Sequence, residues 1–186
     1  ETISGIYLNE RTLSAGNDKL LWCETVPDPR WGYRSYSDLK LLDTNTGNSV
    51  KLTERKKYIS AALSQDGKIA AGIEYTPDLK YHLTVISTDN AEEISSDLIE
   101  GMGHIFDPAI SGNGESIALS SLSDNGNALL LYNRSTDKIE NITGFTYEES
   151  YRSPAFFGKY ILYVSDYSGI DNIYAIDTAT KKKYQV

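Results

Sequence analysis

A sheet-forming pattern recurs along this chain at nearly constant spacing. Strands that open a unit start at Leu13, Leu63, Ile110 and Phe156, which lie 50, 47 and 46 residues apart. Each leads through a tight turn into an apolar strand, a third strand, a second turn and a short polar strand. A period in the forties is that of four-stranded propeller blades, whereas stacked sandwiches repeat at roughly 100 residues.

The last copy, Ser153–Val186, is the clearest. Pro154 suits a strand start, where a missing N–H is tolerated. Gly158 and Lys159 turn the chain into Tyr160–Ser165, which is aromatic and β-branched as strands are. Asp166, Ser168, Gly169 and Asp171 are turn formers, Asn172–Asp177 is the third strand, and Lys182–Val186 is a polar outer strand. Ile161 and Tyr163 point to one side and Leu162 and Val164 to the other, so both faces are expected to be covered. The fold class is therefore all-β, with four blades over approximately 13–58, 59–106, 107–152 and 153–186, forming a single domain or a fragment of one. The leftover segment 1–12 contains GIYLNE, read as a strand of a preceding blade or one that closes the ring against the fourth unit. The start at Glu1 is read as a mature form or an excised piece. No segment of helical period is present.

The chain of 186 residues carries a formal net charge of −8, which argues against nucleic acid or an anionic membrane as partner. No apolar run is long enough for membrane insertion. Cys23 is the only cysteine, so neither an internal disulfide nor a cysteine-based metal cluster can form.

The stretches SQDGKIAAG and SDYSGIDNIYAIDTATKKKYQV carry a pattern of S-x-D-G-K, apolar strand, turn, I-Y-x-x-D and polar strand. This pattern resembles the propeller repeats of the TolB-like, WD-repeat-like family. The second unit departs from it in HLTVIST, the third in NGE and LLLYNRSTD, and the first in NDK and LKLLDTNTG. The resemblance implies a larger ring of about six blades, a periplasmic or secreted bacterial setting, and a scaffold that binds a protein or peptide without catalysis. The repeats also resemble the propeller part of prolyl-oligopeptidase-like peptidases, in which the ring filters substrate for a catalytic domain elsewhere. Other domains of a parent chain are then partners. A self-contained four-bladed ring of hemopexin-like shape is a third possibility.

Candidate binding residues fall in two places. The long first-unit loop, Val26–Ser37, gathers Arg30, Trp31, Tyr33 and Arg34, whose large area and directional donors suit a binding hot spot. The alternative is a loop folded over its own blade, with Trp31 on the core edge and an arginine paired with Asp28. The crossovers into each inner strand hold Tyr58, His104, Asp107, Tyr151 and Arg152, positions expected near a channel mouth or in inter-blade packing. No catalytic set, cofactor motif or metal motif is recognisable. His82 and His104 are the only histidines, no G-x-S-x-G is present, and Asp43–Gly47 begins like a calcium loop but lacks the later Glu.

Overall fold

The structure, a computed structural model, describes residues 7–8 and 13–186. Among these residues every regular element is a strand. The chain divides into two compact units, residues 1–98 and 99–186.

The first unit holds two antiparallel sheets. Sheet 1 comprises β1 (Tyr7–Leu8), β2 (Ser14–Gly16), β3 (Lys19–Pro27), β4 (Ser35–Asp43) and β5 (Ser49–Lys51); sheet 2 comprises β6 (Tyr58–Leu63), β7 (Ile69–Tyr75), β8 (Tyr81–Ser87) and β9 (Glu93–Leu98). The segment expected to join a preceding or closing blade instead pairs, over Tyr7–Leu8, with Thr25 and Glu24 of β3. It shares that edge with β2, which pairs with Leu21–Lys19. The rest of 1–12 lies outside the described residues. Leu21, Cys23, Leu39, Tyr58 and Leu63 form the core between the two sheets. Burial there pushes the Cys23 thiol up to about 12.

The second unit repeats the plan. Sheet 3 is β10 (His104–Ile110), β11 (Ser116–Ser123), β12 (Gly126–Asn133) and β13 (Lys138–Asn141); sheet 4 is β14 (Arg152–Phe157), β15 (Tyr160–Ser165), β16 (Asn172–Asp177) and β17 (Lys183–Gln185). Ala118, Leu129, Tyr151, Ile161, Tyr163 and Ile176 pack between them. The expected coverage of both faces of the last unit is not found. Ile161 and Tyr163 are buried against sheet 3, but Leu162 and Val164 are half-buried and Ile173 is 52% exposed. Nothing in the unit covers that second face.

The recurring motifs are turn networks. In S-x-D-G-K, Ser64 Oγ donates to Asp66 Oδ1 at 2.6 Å and accepts the Ile69 N–H at 3.0 Å. Ser111 and Asn113 repeat this in sheet 3, at 2.7 and 2.9 Å. The third-to-fourth-strand turn recurs in all four sheets. Its residue four positions past Asp43, Ser87, Asn133 and Asp177 is left-handed: Gly47 (φ 72), Ala91 (φ 57), Asp137 (φ 52) and Lys181 (φ 60). Asp43 Oδ1 accepts the N–H groups of Asn45 and Thr46 at 2.9 Å, so the calcium-like start is a side-chain-capped turn.

Candidate functional site

The strongest site lies at one end of sheets 1 and 2, where three segments are stitched together. The crossover from β5 to β6 runs between two strands. Ser37 N–H donates to the Lys56 carbonyl at 2.8 Å, and Tyr75 N–H donates to that of Lys57 at 2.9 Å. Asp38, almost fully buried, accepts the N–H groups of Arg55 at 3.1 Å and Lys56 at 3.0 Å, and pairs with Lys51 Nζ at 2.9 Å. A buried carboxylate with these partners fixes the path of the crossover.

The β3–β4 loop closes on itself. Asp28 N–H donates to the Arg34 carbonyl at 2.8 Å, and Arg34 N–H donates to that of Trp31 at 2.9 Å. The Asp28 side chain accepts the Arg30 N–H at 2.9 Å and the Tyr36 hydroxyl at 3.2 Å. The Arg30 N–H is the main cause holding the Asp28 carboxyl below the usual carboxylate range, helped by the Tyr36 hydroxyl. Arg30 Nε lies 3.7 Å from Asp28, so that pairing does occur. Trp31 does not cover the core edge, being 62% exposed, and Tyr33 projects fully into solvent. Across from it the β7–β8 loop carries Leu79, left-handed (φ 64) and 70% exposed. Such a conformation is uncommon for a branched apolar residue and concentrates at ligand-contacting loops.

These segments enclose a cleft of about 350 Å³, lined by residues 33–36, 55–57, 74–77 and 79. Its charge is uneven. Arg34, Arg55, Lys56 and Lys57 line it against one carboxylate, the buried Glu74, which pairs with Lys56 at 3.1 Å. Arg34 lies over the Tyr36 ring, 5.1 Å from its centroid. Among the described residues, no carboxylate lies within ion-pair distance of Arg34, Arg55 or Lys57.

Of the sequence candidates, the cleft contains Tyr33 and Arg34, with Arg30 and Trp31 on the same loop. Tyr58 belongs to the core, 1% exposed. Its ring packs so closely on Gly72 that a Cβ there would come within 2.6 Å. Sequence reasoning missed Arg55, Lys56, Lys57, Glu74, Tyr75 and Leu79. The basic run at 55–57 was the available signal.

In the second unit the crossover candidates are mostly structural. Tyr151 is 2% exposed, and its hydroxyl donates to Glu149 Oε2 at 2.8 Å and accepts from Lys183 Nζ at 2.8 Å. Burial, the larger effect, pushes its ionisation up. Tyr163 donates to the other Glu149 oxygen at 3.0 Å, and Lys183 also pairs with Glu149. Asp107 (φ 48) sits at a bulge in β10 and accepts the Ser153 N–H at 3.1 Å, tying β10 to β14. Arg152 is bonded to Asp171, which raises its ionisation. Only His104 is exposed, on a second cleft formed with Gly101, Gly103 and residues 122–125.

His82 Nδ1 on β8 lies 3.4 Å from Ser96 Oγ on the edge strand β9, and that hydroxyl also lies 3.4 Å from Thr84 Oγ1. An activated pair sits at about 2.6–3.2 Å. Among the described residues, no group of His, Cys, Asp and Glu is placed to hold a metal ion.

No family model and no curated protein sequence matches the chain. Solved structures do. TolB from Acinetobacter baumannii aligns over 91% of this chain and 42% of its own, with 16% identity and a TM-score of 0.67. The β-propeller domain of the Trilobed protease from Pyrococcus furiosus aligns over 100% of this chain and 58% of its own, with 10% identity and a TM-score of 0.69. Pyrococcus horikoshii acylaminoacyl peptidase aligns over 98% of this chain and 32% of its own, with 9% identity and a TM-score of 0.67. The chain thus spans less than two thirds of each. With four antiparallel sheets, one of five strands and three of four, and these neighbours, the chain has the fold of the TolB-like β-propeller repeats.

Proposed function

We propose that this chain is a non-catalytic module that binds a protein or peptide, and that the partner docks in the cleft between the loop ends of sheets 1 and 2. The observation that carries this reading is the β3–β4 loop. It is hydrogen-bonded into one shape, yet it holds Trp31, Tyr33 and Arg34 out in solvent rather than against the core. A loop whose backbone is already hydrogen-bonded into shape has less left to order on binding. The setting is periplasmic or secreted in a bacterium, and the module works within a larger ring of about six blades.

The test is a Trp31→Ala, Tyr33→Ala variant titrated with a peptide selected by the unmodified chain from an unbiased library. Affinity is expected to fall at least about tenfold with the melting temperature nearly unchanged. A large loss of stability with affinity intact would assign the loop to packing.

A second reading is favoured by the two peptidase neighbours. Here the chain is the substrate-filtering propeller of a larger prolyl-oligopeptidase-like peptidase, and the nucleophile lies outside these residues. Both readings expect no peptidase or esterase turnover from this chain alone. Turnover abolished by one Ser or His substitution would overturn both.

A further inference from the structure

We infer that the segment docking in this cleft is acidic: an extended peptide bearing Asp or Glu side chains with an apolar residue at its flank. This rests on the docking reading above and names the partner's chemistry. The chain as a whole carries 26 acidic and 18 basic side chains, whereas four cations and one carboxylate line the cleft. The lone carboxylate, Glu74, is already paired with Lys56. Arg55 and Lys57 stay exposed on either side of Lys56, and Arg34 faces them from the loop. The backbones of residues 55–57 are held by Asp38, Ser37 and Tyr75, and that of Arg34 by Asp28 and Trp31, so only the side chains have to be ordered on binding. Arginine offers the planar fork that matches a carboxylate. Tyr33, Pro77 and Leu79 supply the exposed apolar rim that a flanking side chain would cover. A cleft of about 350 Å³ takes a few side chains. A long polyanion such as RNA would run out of the cleft onto a chain of net charge −8.

The probe is a fluorescein-labelled peptide of alternating Glu and Asp with a Phe at each end, compared by anisotropy with its Gln/Asn counterpart. The acidic peptide is expected to bind at least tenfold more tightly and to weaken as salt rises. Lys57→Glu and Arg34→Glu, each altering one exposed side chain, are both expected to abolish the preference. Circular dichroism checks that each variant folds. Equal binding of the two peptides, no binding of the acidic one, or equal binding of a single-stranded oligonucleotide would overturn the inference. A neutral library peptide that still docks in the cleft would leave the docking reading standing while the acidic preference falls.

Discussion

Asp38 Oδ1 accepts the backbone N–H of Lys56 at 3.0 Å, a bond across 18 positions that connects a strand of sheet 1 to the crossover carrying the cleft cations. Its other oxygen holds the Arg55 N–H at 3.1 Å. Asp38→Ala is expected to cost about 2–3 kcal/mol, the scale of lost charge-assisted bonds in a buried setting. The loss is read from urea unfolding, together with weaker docking in the cleft. Unchanged stability would mean the crossover is held by its strand contacts alone.

Ala91 occupies the left-handed position (φ 57) that Gly47 fills in sheet 1. An L-residue there costs about 1–2 kcal/mol, and glycine gives part of that back in unfolded-state entropy. Ala91→Gly is therefore expected to stabilise the chain by roughly 0.5–1 kcal/mol. A lower urea midpoint for the variant would contradict this.

The Asp177 carboxyl is held well below its ordinary range, first by Lys159 Nζ at 2.7 Å and then by the Thr180 and Ala179 N–H groups at 3.0 Å. Asp66 is held down first by the Ser64 hydroxyl, and Asp43 first by the Thr46 N–H. Folded values below the unfolded value of about 3.9 mean that these carboxylates stabilise the fold fully above that pH. The contribution is lost as the pH falls through the folded values. Unfolding midpoints are expected to stay level from about pH 7 to 5 and drop below about pH 4. Asp177→Asn keeps an acceptor for the turn, as Asn133 does at 3.0 Å to the Ser135 N–H, and is expected to flatten the acid limb. An acid limb as steep as before would assign the loss to other groups.

The second face of sheet 4 exposes Phe157 (70%) and Ile173 (52%) beside half-buried Leu162 and Val164. Exposed apolar strand faces bind apolar dyes and self-associate. Phe157→Lys with Ile173→Lys is expected to lower dye binding and shift sedimentation toward monomer. No change in either would place the stickiness elsewhere.

The repeat was legible because its turns are written in side chains. Ser64, Asp66, Asn133 and Asp177 cap backbone groups near them in sequence, so recurrence of residue type mirrors recurrence of shape. The left-handed turn position was harder to find, since only Gly47 announces it and Ala91, Asp137 and Lys181 do not. Of the site, the aromatic loop was visible as composition. Its partners at 55–57 and 74–79 were not, because tertiary bonds such as Tyr75 to Lys57 bring them there. Tyr58, at the β6 bulge, and Tyr151, just ahead of β14, looked like channel-mouth residues by position, but both side chains pack into the core.

The most direct measurement is an amide-resolved NMR titration of the chain with its best library-selected peptide. Shifts are expected to cluster at residues 30–36, 55–57 and 74–79. Shifts confined to residues 99–107 and 122–126, around the second cleft, would contradict the assignment of the docking site.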